Sequence, residues 1–149
     1  MRINDTERER LLKILNFLEE ELLDLETFFN IDYPIFERDK QKRKSLERTV
    51  ENIVNAGLDI AKIILIMKNI GIPDTYREYF LKLLAADFLN HKLSSDLAKW
   101  VKLRNILAHE YLDIRWQNMR NFLSEGWKSF KKLAEQTRKF LQSGKRWTK

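Results

Sequence analysis

The sequence predicts an all-α chain folded as an antiparallel up-and-down bundle of about five helices. Three observations lead there. Apolar residues recur at steps of four and three over long stretches, the spacing of one helix face. No segment alternates apolar and polar residues for long enough to make a strand. Only four glycines and two prolines punctuate 149 residues, of which 44% are hydrophobic and 34% charged.

The first helix is announced by Thr6 with Glu9 three residues later, a capping-box pattern. Its stripe is Leu11, Leu15, Leu18, Leu22, Leu25 and Phe29, and the segment from Asn30 to Pro34 ends it, since a proline disfavours helical geometry in the residue before it. A second helix starts near Asp39 or later and carries Leu46, Val50, Ile53, Gly57, Ile60, Ile64 and Met67. Gly57 costs up to about 1 kcal/mol against alanine in a helix interior, so close approach of a neighbouring helix is expected there. Gly71-Ile72-Pro73 is the expected stop. Thr75 and Glu78 form a second capping box for a shorter third helix reaching about Leu89. Asn90 to Ser95 reads as a turn, with Ser94 or Ser95 capping a fourth helix that carries Leu97, Trp100, Val101 and Leu107. Asp113 is the expected cap of a fifth, with the stripe Met119, Leu123, Gly126, Phe130, Leu133, Thr137 and Phe140. Short connections favour antiparallel neighbours. The wide stripes of the first two helices face either the other three helices or a second copy of the chain; the pattern alone supports both equally.

The length fits a single domain, residues 1–149, with a basic C-terminal tail from about 141 to 149. The absence of cysteine excludes a disulfide framework, a thiolate metal site and a cysteine nucleophile, and fits a reducing, cytoplasmic setting. The longest apolar run, Ile63–Met67, is far short of the roughly 20 residues that cross a bilayer, and the N-terminus has no signal-peptide core, so no membrane role is expected. Net charge is +6 and unevenly placed: residues 126–149 hold eight Lys/Arg against Glu135 alone. Such a stretch either steers a polyanion or is a solvated helix face with a charged end. Lys128, Lys131, Lys132 and Arg138 are the candidate RNA-binding residues within it.

One anomaly interrupts the pattern. Stepping along the fourth helix from Leu93 gives Leu97, Trp100, Arg104, Leu107 and Tyr111, so a guanidinium and a phenol occupy places where apolar residues belong. The adjacent row sets Asn105 and His109 one turn apart. Polar groups on a packed face cost free energy unless paired, so the set forms either a polar network inside the bundle or a site. Taken singly, each has a plain alternative: a hydrogen-bonded core histidine, a snorkelling arginine, a capping asparagine, a half-buried tyrosine.

The stretch R-N-I-L-A-H-E-Y, Arg104 to Tyr111, resembles the R-x4-6-H motif of the HEPN superfamily, and in its longer form, R-x4-H-x-Y, that of HepT toxins. Ile72–Leu84 is similar to the family's P-x-x-Y/F-x-x-x-F-x-x-L region, and Val50–Leu65 to its second helix. Leu103 departs from the family, which often has Phe before the Arg. The resemblance covers most of the chain. It implies a homodimer acting as a metal-independent ribonuclease, the toxin of a type VII-like toxin–antitoxin pair. Motif residues of both protomers would line one cleft, and the protein would need no cofactor of its own. It also implies a cognate MntA-like nucleotidyltransferase antitoxin that transfers AMP from ATP to the motif tyrosine. Carried over, Arg104 and His109 are catalytic, Asn105 is supporting and Tyr111 is the modified residue, with no metal ligand.

The chemistry is compatible with that implication. RNA can be cleaved through its own 2′-hydroxyl if a base takes that proton, an acid protonates the leaving oxygen and positive charge faces the phosphate. Histidine titrates near neutrality and serves as either acid or base; arginine stays charged and grips two phosphate oxygens. The only other histidine, His91, falls in the expected turn before the fourth helix. One chain therefore offers one general base, and a dimer supplies two. Arg104 and His109 differ by five residues, about 140° around a straight helix, which also favours a site shared between protomers. Trp100, Trp116, Trp127 and Trp147 could stack on unpaired bases, with ordinary packing favoured for Trp100 and Trp127. The rival function is a non-catalytic helical adaptor, the substrate-binding subunit of a nucleotidyltransferase, which need not keep Arg104 and His109 together. A DNA-binding domain is weakened by the lack of a helix-turn-helix signal.

Overall fold

The computed structural model describes residues 5–143, all of it helix and short connections. The basic residues Lys145, Arg146 and Lys149, and Trp147 with them, lie outside the described residues. The elements are α1 (Asp5–Leu25), continued by a 3-10 turn (Glu26–Phe28), α2 (Tyr33–Arg38), α3 (Lys40–Met67), α4 (Tyr76–Ala85), α5 (His91–Trp100), α6 (Leu103–His109), α7 (Leu112–Asn121), a π turn (Phe122–Gly126) and α8 (Trp127–Gln142).

Helix α3 is the spine. It packs against α1, α2, α4, α6 and α8, and most of its surface from Leu46 to Met67 is buried, with Val50, Ile53, Val54, Ile60, Ala61, Ile64 and Leu65 wholly out of water and a narrow stripe through Arg48, Asp59, Lys62 and Ile66 left exposed. Each fully buried Leu, Ile or Val side chain stabilises the fold by about 1.5–3 kcal/mol. Helix α1 lies antiparallel on it. Near one end Asn52 donates to Glu21 at 2.7 Å, and near the other Arg10 acts on Asp59. Helix α8 runs antiparallel to α1 in turn: Arg8 donates to the Leu141 carbonyl at 2.6 Å, and Arg138 grips Glu19 and Asn16. The up-and-down bundle expected from the sequence is present, and Leu11, Leu15, Leu18 and Leu25 of the first stripe are fully buried.

The close approach expected at Gly57 is made by aromatic rings. A Cβ there would lie 2.7 Å from a ring carbon of Phe130 and 3.4 Å from Phe80, both wholly buried and edge-to-face with each other at 6.2 Å. Gly126 has the same role at the π turn, where a Cβ would collide with the Phe122 ring and lie 2.8 Å from Trp100.

Several helix ends differ from the sequence reading. Thr6 lies inside α1, which already includes Asp5. Pro34 does not simply end a helix: it opens the short α2, capped by Asp32, whose side chain accepts from the Ile35 N–H at 3.1 Å. Helix α3 stops at Met67, before Gly71. Asn69 takes a left-handed turn (φ 58°), and the Ile70 and Asn69 N–H groups close on the carbonyls of Leu65 and Ile66. Helix α4 ends the same way at Asp87 (φ 61°). Thr75 precedes α4 but its hydroxyl does not cap. Asn90, not Ser94 or Ser95, caps α5, accepting from Leu93 at 2.8 Å. Ser94 is buried and donates to the Phe80 carbonyl at 2.6 Å, tying α5 to α4. Asp113 falls in the first turn of α7, and Tyr111 occupies the cap position. The expected fifth helix is divided by the π turn, where Trp100, Phe122 and Gly126 crowd together.

Gly57→Ala should destabilise the protein by about 1–3 kcal/mol, because the buried rings must shift by more than the alanine propensity gain offsets. Urea denaturation of parent and variant measures it, as a lowered midpoint at unchanged slope.

Candidate active site on the α6 helix

The fourth helix expected from the sequence is broken at Val101–Lys102, and the break decides the site. Around it the backbone tightens into three-residue turns, with the Val101 N–H on Ala98 O and the Arg104 N–H on Val101 O. The helical phase is thereby reset. In α6 the row facing the core is Leu103, Ile106 and Leu107, with Leu103 wholly buried and the other two half-buried. Asn105, Ala108 and His109 turn outward and are exposed, and Arg104 sits at the border between the two faces. The apolar places into which Arg104 and Tyr111 seemed to intrude therefore do not exist: Tyr111 has left the helix and stands 82% exposed on the extended link between α6 and α7.

Arg104 and His109 share α6 but make no hydrogen bond to each other. Five residues separate them, about 7.5 Å along the axis. His109, Asn105 and Tyr111 make no side-chain hydrogen bond to any described residue. The Arg104 guanidinium instead points toward α4, its central carbon 4.2 Å from the centroid of the Tyr76 ring. Tyr76 is half exposed and meets Tyr79 edge-on at 5.5 Å. Asp59 of α3 is the nearby carboxylate acting on this cation. Its own carboxyl is pushed above the ordinary range, chiefly by partial removal from water, while Lys62, Arg10 and Arg104 pull the other way.

The helix is fastened from behind. Arg115 of α7 makes a two-pronged pair with Glu47 of α3, at 2.7 and 2.5 Å, both side chains largely buried. That hydrogen-bonded pairing holds the guanidinium more firmly protonated still. It locks the segment after Tyr111 onto the spine. Trp116 adds ring contacts to Tyr33 and Phe36 of α2, 5.9 and 5.2 Å away. A shallow groove of about 500 Å³ runs beside α6, between Leu107 and the α3 residues Lys44, Glu47, Arg48 and Glu51. A larger one, about 820 Å³, lies among Phe28, Ile31, Ile35, Asp39 and Lys42 and includes no motif residue.

The basic residues on α8 fall into two groups. Lys128, Lys131 and Lys132 are exposed, and Lys128 and Lys132 border a groove against α5 together with Lys92 and Lys99. Arg138 is engaged by Glu19 and Asn16 at the contact with α1. The described tryptophans pack on rings: Trp100 is buried against Phe122, Trp116 lies on α2, and Trp127 lies 5.3 Å from Phe29. His91 is exposed at the first position of α5, inside the helix and not in the turn before it. Sequence reasoning missed Asp59, Tyr76 and the Glu47–Arg115 pair. Tyr76 had a signal, its place in the proline-led stretch that runs into α4; the others had none.

A helical bundle that displays an R-x4-H pair on a short exposed helix is of the HEPN class. The HepT-like ribonuclease family matches residues 18–137, and the chain belongs to that family. The mRNA nuclease HepT of Shewanella oneidensis is 32% identical over 79 residues, which are 53% of this chain and 59% of that protein; the match thus spans less than two thirds of the relative's length. Two solved structures share the fold. One is a toxin–antitoxin structure with AMP-PNP, 20% identical, TM-score 0.77, covering 86% of this chain and 96% of the other. The second is the tri-AMPylated Shewanella oneidensis HEPN toxin in complex with MNT antitoxin, 21% identical, TM-score 0.77, covering 91% and 98%. Among the described residues no helix is long and apolar enough to cross a membrane.

A carboxyl whose pKa is raised by folding favours the folded state while protonated, and that contribution is lost as pH rises through its folded value. Asp59→Asn should therefore melt above the parent at pH 7, with the gap closing below about pH 4. Paired thermal melts across that range decide it; a variant less stable at pH 7 would mean that attraction from Arg10, Lys62 and Arg104 outweighs desolvation.

Proposed function

We propose that this protein is the toxin of a toxin–antitoxin pair: a cytoplasmic ribonuclease that cleaves RNA without a metal, acts as a homodimer, and is silenced when a nucleotidyltransferase partner transfers AMP from ATP to Tyr111. The observation that carries the proposal is the placement of Arg104 and His109 on one short helix, with His109 and Tyr111 open to solvent. Membership of the HepT-like family supports it, and the relative named an mRNA nuclease favours messenger RNA as substrate.

The chemistry follows from the side chains. A His109 imidazole removes the 2′-hydroxyl proton, the freed oxygen attacks the neighbouring phosphorus, and the bond to the 5′-oxygen breaks as a second His109 delivers a proton to it. Arg104 neutralises charge growing on the phosphate oxygens. A single chain presents one such imidazole, so the second comes from the partner copy. The half-exposed Phe17, in a hollow shared with Asp59, offers apolar surface for that partner. Lys128, Lys131 and Lys132 attract the RNA backbone by counterion release, with Arg138 contributing less because Glu19 and Asn16 already hold it. Asn105, exposed next to Arg104, supports substrate binding. AMP on Tyr111, two residues from His109, adds bulk and negative charge where the phosphate must lie.

Arg104→Ala and His109→Ala should each lower RNA cleavage by about 10²–10⁴-fold with unchanged circular dichroism, and should relieve growth arrest on induction. Parent-like cleavage by both variants would end the catalytic assignment. Incubated with ATP, magnesium and the neighbouring nucleotidyltransferase, the parent should gain AMP mass and Tyr111→Phe should not. Equal labelling of the two moves the modification elsewhere.

A further inference from the structure

The arginines with hydrogen bonds in this fold spend their donors on acceptors. Arg8 gives to the Leu141 carbonyl, Arg43 to those of Phe36 and Glu37, Arg115 to Glu47, and Arg138 to Glu19 and Asn16. Arg104 is held differently. Among the described residues it has no hydrogen-bonded acceptor and no carboxylate within ion-pair distance; what holds it is the ring of Tyr76, 4.2 Å from the guanidinium carbon. A ring face attracts a guanidinium through its quadrupole and takes none of its N–H groups.

We propose that Tyr76 is the positioning residue for Arg104: an aromatic platform that fixes the guanidinium while leaving its fork of donors free for a phosphodiester. A carboxylate in the same place would hold the side chain as firmly but would occupy the donors and cancel the charge that the phosphate needs. Asp59 contributes from a distance, as a field on the cation without an ion pair. Tyr79, edge-on to Tyr76 at 5.5 Å, keeps the platform from swinging away. The location suits the role. Tyr76 is the first residue of α4, behind the extended Thr75, so the ring is anchored by a helix start while half its surface stays open. The phenol hydroxyl has no part in this; the ring alone does.

This inference rests on the ribonuclease reading for its activity readout, and a second readout is independent of it. The experiment compares full-length parent, Tyr76→Phe and Tyr76→Leu. Cleavage of a fluorophore-labelled single-stranded RNA gives kcat and KM, and the Arg104 Nε–H resonance, assigned by its loss in Arg104→Lys, reports the ring-current shift. Tyr76→Phe should stay within about twofold of the parent in kcat and keep the upfield resonance. Tyr76→Leu should lose about tenfold in kcat, move the resonance to the ordinary arginine position and retain its melting temperature within a few degrees. Parent-like kcat with an unmoved resonance in Tyr76→Leu overturns the proposal, as does a Tyr76→Phe variant as impaired as Tyr76→Leu. If the parent cleaves no RNA, the ribonuclease reading fails. The resonance, with the affinity of parent and Tyr76→Leu for the uncleaved RNA, then still decides whether Tyr76 orders Arg104.

Discussion

Burial of most of one long helix is the constraint from which the rest of this structure follows. Helix α3 carries a wide apolar surface from Leu46 to Met67, interrupted by the stripe through Arg48, Asn52, Asn55, Asp59 and Lys62, and no such surface is stable in water until other helices enclose it. Helices α1, α4, α6 and α8 do so from different directions. The fit is tightest at Gly57, where Phe130 and Phe80 leave no room for even one methyl group. A larger residue there would push apart the two helices, α4 and α8, on which the remaining packing depends.

The motif helix inherits its position from that spine. Helix α6 is only seven residues long, too short to persist alone. Its order comes from Leu103 in the core and from the largely buried Arg115–Glu47 pair just beyond it. Removing one member of such a pair strands a charge away from water, at a cost of a few kcal/mol. The structure thus concentrates its rigidity behind the exposed face of α6. The groups in front, Asn105, His109 and Tyr111, are exposed and make no side-chain hydrogen bond to any described residue.

The bundle and the site were legible to different extents. Four of the leucines of the first stripe and the run from Leu46 to Met67 appear in the core as their spacing implies, because helical periodicity and burial are the same fact seen twice. Helix ends were read less well. Thr75, Ser94 and Asp113 have the right chemistry to cap, yet the caps are elsewhere, because whether a hydroxyl or carboxylate turns to its own backbone depends on what competes for it. For Ser94 the competitor is the Phe80 carbonyl, 14 residues away in sequence. The break at Val101–Lys102 carries neither glycine nor proline, so no local signal announced that one apparent helix is two.

By itself, the sequence determined the helical class, most of the core residues and the octet from Arg104 to Tyr111 as the stretch that carries the family motif; all three are properties of residue type and of spacing along one chain. Only the tertiary structure decided that Arg104 lies over Tyr76 and not against a carboxylate, that Arg115 is spent on Glu47 and Arg138 on Glu19, and that Tyr111 projects into solvent instead of completing an apolar stripe. The physical reason is range. Periodicity is fixed by bonds between neighbours, whereas the partner of a charged side chain is whichever group the packing of distant helices brings within a few ångströms, and nothing in the local sequence encodes that choice.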